Sequence, residues 1–341
     1  MSDQVTALRT GAGAFLLPRD VVKVSGPDAE TYLQGQLSQD ITALAVGESA
    51  DSLLLQPDGK LSALMRITRV DGQGFLLDTD AGFGTVMIER LKKFLLRSKV
   101  EIERLEWRCL ALRGNDVTGA AAGLMTVLSE TGAVIVPYSW NGWTGVDVLG
   151  PKDLVLDPTS GGIDLPSGVT PCGAEAAEEC RVVSGIPAMG AELTDKTIAA
   201  EAGLVERTVS FTKGCYTGQE LVARLDSRGN NVPRRLVKVV AGADPGAISL
   251  QTGMTLHAGE PPVADSGDVP LEQREVVVDK VVGTVTSAVW SSERAAWVGL
   301  AYLHRTVDAP GPIRLRSGDG LGGSHDGAVE TLPLPAASLS A

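Results

Sequence analysis

The residues best suited to chemistry in this sequence lie together at positions 213–220, which spell KGCYTGQE. Gly214 and Gly218 flank Cys215 and Tyr216 within this stretch. Glycine lets the backbone take positive φ values or approach another group closely. The stretch therefore predicts a tight, exposed turn that presents a cysteine.

The residues after the cysteine predict the start of a helix. Thr217 and Glu220 have the spacing of a capping box before an apolar run, so a short helix is expected to start at Gly218. Cys215 would then lie just before a helix N-terminus and close to Lys213, and both favour the thiolate over the thiol. Cys215 and Lys213 together form the expected reactive centre, with Lys213 lowering the pKa of the thiol.

A buried, inert thiol is the alternative for Cys215, because unpaired cysteines are commonly buried. Its polar and glycine-rich neighbours do not suit a dry core, which favours the reactive interpretation. Tyr216 is expected to stack on a flat ring or to pack as a lid. Gln219 and Glu220 are expected to hydrogen-bond the backbone or a ligand, and capping is the favoured role for Glu220.

The octapeptide and the Ala223-Arg224 pair that follows it resemble the signature of the YgfZ family. These are folate-binding proteins related to the aminomethyltransferase of the glycine cleavage system. Further matching segments follow in the family's order: GPD at 26–28, YLQGQ at 32–36, DI at 40–41, PDGK at 57–60, Arg181 with GIP at 185–187, and Gly283 with VTSA at 285–288.

The resemblance implies an α+β fold in which three modules form a ring around a central cavity that holds tetrahydrofolate or a one-carbon derivative. It also implies an accessory role in assembling or repairing iron–sulfur clusters, with client enzymes or cluster carriers as partners and tRNA-modifying radical enzymes among the clients. Glu192 and Glu201 are expected to line the cavity. Arg224 is expected to bind the glutamate tail of folate through charge-assisted bonds, although an exposed and functionally silent arginine is the alternative.

Three other functions compete with this one. An aminomethyltransferase needs a carboxylate near the folate amine to manage its proton. Ala63 and Leu64 stand where the transferases have aspartates, and residues 59–70 contain no carboxylate, so we favour the accessory role. A thiol-redox interaction protein with a vestigial folate cavity is the third possibility. A Cys–His hydrolase is weaker, because it would require the fold to bring His304 to the cysteine.

Composition excludes several classes of protein. The chain of 341 residues carries a net charge of −12, which argues against a general nucleic-acid binder or a protein of anionic membranes. No apolar run approaches about 18 residues, and the N-terminal residues lack the pattern of a signal peptide, so a cytoplasmic protein is expected. The four cysteines form no CxxC pair, so we expect no metal site, and the three outside the motif, Cys109, Cys172 and Cys180, are expected to be structural.

The pattern along the chain predicts a folate-binding region at residues 1–235, with an inner module at about 50–150, and a small antiparallel β-barrel at residues 236–341. One strand is expected over residues 14–24, and a helix is expected to begin at Pro27. A hairpin turns at Pro57-Asp58-Gly59.

An amphipathic helix is expected from Phe83, with Met87 and Leu91 facing the core. Its outward, solvated face is predicted to carry Glu89, Arg90, Lys92 and Lys93. A further helix is predicted at 174–184, ended by Gly185. The barrel strands are expected at 236–240, 275–289 and 296–303.

Overall fold

The computed structural model describes residues 2–128, 132–154, 157–160, 165–242, 249–258, 280–317 and 324–332. The described chain divides into two compact units, one ending at Val232 and the other spanning Pro233–Leu332. The helices are α1 (Asp3–Arg9), α2 (Ala29–Gln34), α3 (Gly84–Lys92), α4 (Val117–Leu128), α5 (Ala174–Val183), α6 (Val205–Thr208) and α7 (Gln219–Asp226). Within the described ranges, no helix combines the length and apolar character needed to cross a membrane.

Two five-stranded sheets form the frame of the first unit. Its strands are β1 (Gly13–Leu17), β2 (Arg19–Ser25), β3 (Ser49–Leu55), β4 (Leu61–Arg69), β5 (Gly74–Asp80), β6 (Glu101–Leu105), β7 (Trp107–Arg113), β8 (Val134–Trp140), β9 (Trp143–Pro151) and β10 (Thr170–Pro171). One sheet has the order β3-β4-β5-β2-β6 and is antiparallel throughout. The other has the order β10-β1-β7-β9-β8, in which only the β1–β10 pair is parallel.

The single strand predicted for residues 14–24 is wrong. Pro18 divides it into β1 and β2, and the two strands belong to different sheets. Proline has no N–H to donate and a fixed φ, so it ends the pairing of one strand and lets the chain cross to the other sheet. The predicted hairpin is confirmed, since β3 and β4 pair across the Pro57-Asp58-Gly59 turn.

The main core joins both sheets to the helices α1, α2, α3, α5, α6 and α7. Met87 and Leu91 are fully buried, as predicted for α3. The prediction that Arg90 lies on the solvated face is wrong. Arg90 is also buried, and it donates from Nε to the carbonyl oxygen of Leu55 at 2.9 Å. It follows Met87 by three residues, so it lies on the same side of the helix as the apolar stripe.

A chain of buried ion pairs crosses from one sheet to the other. Arg66 on β4 binds Asp78 on β5 at 3.0 Å and Asp147 on β9 at 2.6 Å. Arg113 on β7 binds the other oxygen of Asp147 at 2.7 Å. Burial alone would raise the pKa of Asp147, but the guanidinium groups of Arg113 and Arg66 outweigh it and hold that pKa below its usual range.

The second unit is a closed antiparallel barrel with the order β11-β14-β13-β12-β15-β16, as predicted in kind. Its strands are β11 (Arg234–Ala241), β12 (Thr255–Ala258), β13 (Val281–Ser291), β14 (Ala296–His304), β15 (Gly311–Arg316) and β16 (Ser324–Thr331). Pairing of β11 with β16 closes the barrel around an apolar core that includes Val237, Leu256 and Leu315. The strands β12, β15 and β16 were not predicted, and residues 275–279 of the strand expected at 275–289 lie outside the described residues.

Candidate functional site

The motif turn is fixed to the body of the first unit at Thr217 and Gly218. The backbone N–H of Thr217 donates to the carbonyl oxygen of Gly35 at 3.1 Å, just past α2. Gly218 has φ of +85°, and a Cβ there would lie 2.5 Å from the carbonyl oxygen of Gln56. Only glycine meets both demands, because the left-handed conformation and the close approach each disfavour a side chain.

The hairpin turn between β3 and β4 packs against this part of the motif. Gly59 has φ of +84°, and a Cβ on it would lie 2.4 Å from the Cβ of Leu221 in α7. The side-chain amide of Gln56 donates to the carbonyl oxygen of Asp195 at 3.1 Å, and the N–H of Leu61 donates to that of Thr197 at 3.0 Å. The family-like segments at 32–36, 57–60 and 213–220 and the loop 192–201 therefore converge at one end of the β3–β4 hairpin.

The predicted capping box does not form. Helix α7 begins at Gln219, and its N-cap is Gly218 in the left-handed conformation, with no side-chain cap bond. The side chain of Gln219 instead accepts a hydrogen bond from the N–H of Tyr216 at 3.1 Å. Gln219 thus stabilises the turn, while Glu220 is exposed in the first turn of the helix.

Lys213 anchors the other side of the turn. Its Nζ donates to the carbonyl oxygens of Gln34, Leu37 and Gln39 at 2.7, 2.6 and 2.9 Å. An ammonium group has three N–H donors, so these bonds use all of them and leave none for the thiol of Cys215. The predicted role of Lys213 in the reactive centre stays a prediction. Burial lowers the pKa of Lys213 to about 8, and Asp40 offsets only part of this effect.

Cys215 is exposed at the tip of the turn, whereas Cys109, Cys172 and Cys180 are buried. The buried-thiol alternative for Cys215 is therefore wrong, and its reactivity stays a prediction. A Cβ on the neighbouring Gly214 would meet no atom within 4 Å, so the space beside that glycine is open. In the described ranges, no group of three or more metal-binding side chains is arranged to hold a metal ion.

Tyr216 is packed into the main core next to the exposed cysteine. The ammonium group of Lys213 lies 5.2 Å from the centre of its ring. Burial raises the pKa of Tyr216 to about 12, so the phenol stays neutral and serves packing. Of the two roles expected for Tyr216, the geometry favours packing over an open stacking surface.

The predicted folate contacts occupy three different environments. Glu192 is buried and binds Arg181 at 3.1 Å and the N–H of Ala188 at 3.0 Å, so it holds together the loop after α5. Glu201 is buried in the short 3₁₀ turn Ala199–Ala202. Arg224 is exposed in the last turn of α7. These placements leave Arg224 as the expected contact most open to a ligand.

Sequence reasoning missed two polar residues beside the motif. Gln36 follows the carbonyl group that binds Thr217, and its side chain accepts a hydrogen bond from Nη1 of Arg90 at 3.1 Å. Gln36 lay within the family-like segment 32–36, so its position was a usable signal. For Arg90 the sequence gave only a weak signal, which is that it follows the core residue Met87 by three positions.

Comparison with known proteins gives a consistent picture, although no protein-family model matches the chain. A tRNA-modifying protein YgfZ from Photorhabdus laumondii is 25% identical over 92% of this chain and 89% of its own length. An iron–sulfur cluster assembly factor IBA57 homolog from Neurospora crassa is 30% identical over 66% of this chain and 52% of its own length. The chain is similar in sequence to proteins of the YgfZ family.

Members of the YgfZ family are related to aminomethyltransferases, and the fold of this chain agrees with that. An aminomethyltransferase from Streptomyces avermitilis is 26% identical over 98% of this chain and 88% of its own length. The crystal structure of the glycine cleavage system aminomethyltransferase T from Bartonella henselae covers 97% of this chain and 88% of its own, with a TM-score of 0.76 and 20% identity. That likeness establishes the shared fold.

One strand lacks the carboxylates that are expected of a transferase. The strand β4 has Ala63 fully buried and Leu64 partly buried, where a transferase is expected to have aspartates. The N–H of Leu64 contacts the sulfur of Met189 at 3.4 Å. This part of the strand therefore offers an apolar surface and no group able to accept or hold a proton.

Proposed function

We propose that this protein binds tetrahydrofolate or a one-carbon derivative and acts in the cytoplasm as an accessory protein in the assembly or repair of iron–sulfur clusters, with tRNA-modifying enzymes among its clients. Relatives named as tRNA-modifying proteins and as a cluster assembly factor support this role. The observation that carries it is the exposure of Cys215 on a turn fixed at Lys213, Thr217 and Gly218.

The proposed chemistry uses Cys215 as a single ligand or exchange partner. A cluster of the common types is held by four protein ligands, and Cys215 supplies one of them. The client or carrier supplies the others, so the cluster is cargo that passes between two proteins. The open space beside Gly214 leaves room for a partner sulfur or iron to approach the thiolate.

The described residues fit the acidic end of a folate. Its glutamate carries carboxylates, and carboxylates bind best to arginine through charge-assisted hydrogen bonds. Arg224 is exposed on α7, and Arg90 is a second arginine close to the motif. When bound, the folate would supply or accept a one-carbon unit, while this chain positions it and keeps Cys215 accessible.

Titration calorimetry with tetrahydrofolate tests the proposal on the wild type and the Cys215→Ala variant. Micromolar binding by both proteins is expected, because the thiol is not expected to contact the folate. In cells lacking the protein, the wild type is expected to restore the activity of an iron–sulfur tRNA-modifying enzyme, and Cys215→Ala is not. Absence of folate binding would instead favour the thiol-redox interaction protein.

The aminomethyltransferase is the second candidate, because relatives of that name cover nearly the whole chain. The apolar surface at Ala63 and Leu64 weighs against it. An assay of one-carbon transfer from aminomethylated lipoyl carrier to tetrahydrofolate separates the two. We expect no turnover above the uncatalysed rate, and sustained turnover would replace the accessory role with the transferase.

A further inference from the structure

Arg90 is a buried cation without a carboxylate partner among the described residues. Its two hydrogen bonds go to neutral groups, the carbonyl oxygen of Leu55 at 2.9 Å and the side chain of Gln36 at 3.1 Å. The ring of Phe94 covers the guanidinium at 4.3 Å. Nη2 is buried and has no hydrogen-bond partner in the part of the chain that the structure describes.

The other arginines buried to the same degree are all paired with aspartates. Arg66 binds Asp78 and Asp147, Arg113 binds Asp147, and Arg207 binds Asp51. Burying a charge costs free energy unless a counter-charge compensates it. With 42 acidic against 30 basic residues, carboxylates are abundant in this chain. An arginine kept in the core without one is therefore the exception that a ligand would explain.

Both hydrogen-bond partners of Arg90 belong to the frame of the candidate site. Gln36 directly follows Gly35, whose carbonyl oxygen accepts the N–H of Thr217 at 3.1 Å. The Cβ of Leu55 lies 2.7 Å from the place where a Cβ on Gly218 would be. The guanidinium therefore lies against the residues that hold the Cys215 turn.

The free donors of Arg90 define the chemistry of the missing partner. Once Nε and one N–H of Nη1 are used, one N–H of Nη1 and both of Nη2 are left. Two neighbouring nitrogens with free N–H groups match the two oxygens of a carboxylate in an end-on fork. An anion also supplies the counter-charge, and burial lowers the pKa of Arg90, as expected for a cation that lacks one.

We propose that Arg90 binds a carboxylate of a small-molecule ligand, and that the side chain of Phe94 moves aside to admit it. Phe94 is partly exposed and lies beyond Lys92, the last residue of α3, so its ring can rotate without unwinding the helix. The identity of the ligand rests on the proposed function: the glutamate of tetrahydrofolate is its source of carboxylate. Arg90 would then bind folate together with, or in place of, Arg224.

Calorimetry with two ligands tests this site. Tetrahydrofolate carries the glutamate, and tetrahydropteroate lacks it. The wild type is expected to bind tetrahydrofolate at least tenfold more tightly than tetrahydropteroate. Arg90→Gln is expected to remove that preference without weakening tetrahydropteroate, whereas the exposed control Arg97→Gln keeps it. A preference that survives in Arg90→Gln would overturn the proposal and leave folate binding itself intact.

A second measurement covers the cases that calorimetry does not decide. If Arg90→Gln does not fold, Arg90→Lys is tested instead, because it keeps the charge and loses the fork. The preference for tetrahydrofolate over tetrahydropteroate is then expected to fall at least threefold, and an unchanged preference overturns the proposal.

If the wild type binds neither tetrahydrofolate nor tetrahydropteroate, the proposed function fails, and thermal unfolding with N-acetylglutamate then decides the site. A stabilisation that requires Arg90 supports it, whereas no stabilisation, or a larger one with inorganic phosphate, rules out a carboxylate site.

Discussion

The Cβ position of Gly59 lies 3.1 Å from the carbonyl oxygen of Gly218, and that of Gly218 lies 3.5 Å from the Cα of Gly59. The β3–β4 turn and the cysteine motif thus meet backbone to backbone, although about 160 residues of chain separate them. Close packing of this kind leaves no space for a side chain on either residue.

Replacement of Gly218 by alanine is expected to destabilise the first unit. The left-handed conformation costs a non-glycine residue about 1–2 kcal/mol, and the contact with Gln56 adds an overpacking cost. We expect a total loss of about 2–4 kcal/mol in the free energy of unfolding, measured by urea denaturation. Gly214→Ala is the matched control, because a Cβ there meets nothing within 4 Å. Equal losses in both variants would contradict the packing argument.

The pH dependence of stability is expected to reveal the lowered pKa of Lys213 in the folded protein. Burial lowers its pKa to about 8 in the folded protein, against the ordinary value of 10.5. Between these two values the unfolded chain binds more protons than the folded one, so this residue makes the protein more stable as the pH rises from 8 to 10.5. Below pH 8 both states are protonated, and the contribution is constant.

The comparison of wild type with Lys213→Met isolates this effect, because all other titrating groups are shared. The wild-type free energy of unfolding minus that of the variant is expected to increase between pH 8 and pH 10, measured in urea at several pH values. A difference that decreases over this window would mean that the three carbonyl oxygens raise the pKa of the lysine instead of leaving burial dominant.

The sequence was sufficient for the parts of the site that depend on local patterns. The Pro57-Asp58-Gly59 hairpin, the apolar stripe of α3 and the exposed cysteine turn follow from spacing and residue type, and all three occur in the structure. The family resemblance predicted residues that line a cavity. It did not by itself predict which distant segments of the chain would meet there. The barrel was predicted from its valine-rich strands, while the more polar β15 and β16 escaped notice.

The parts that could not be predicted depend on contacts distant in sequence. Lys213 was expected to act on its neighbour Cys215, but its long side chain reaches carbonyl groups that precede it by more than 170 residues. The capping box had the right spacing, yet the left-handed Gly218 became the N-cap. Spacing does not reveal backbone conformation, and residue type does not reveal which buried partner a charge will find.

Alkylation is expected to separate Cys215 from the other three cysteines. Native protein treated with iodoacetamide should gain one adduct quickly, because only Cys215 is exposed. Burial raises the pKa of Cys109 well above its usual range and that of Cys172 to about 11, so these thiols lack both access and thiolate character. Mass spectrometry should find the adduct on Cys215 and none in Cys215→Ser. Rapid modification of the variant would show that the core opens easily.

The buried ion pairs between the sheets are expected to be sensitive to the loss of a single partner. Asp147→Asn removes the carboxylate that pairs with Arg113 and one of the two carboxylates that bind Arg66, and breaking a buried pair in this way costs about 3–5 kcal/mol. The exposed pair between Lys152 and Glu106 is the control, and Lys152→Met should cost less than about 1 kcal/mol. Urea denaturation measures both.

A second substitution separates the cost of an unpaired buried charge from the cost of the lost hydrogen bonds. Asp147→Leu combined with Arg113→Met replaces charges with apolar groups, and removing both members of a pair is less costly than leaving one buried charge alone. We therefore expect the double variant to be more stable than Asp147→Asn, even though it has lost more hydrogen bonds. If the double variant is the less stable of the two, the pairs stabilise the protein directly, and the cost of an unpaired arginine is not what governs this part of the core. The same comparison bears on Arg90, because a small cost for unpaired Arg113 would weaken the case that an arginine in this core requires a counter-charge.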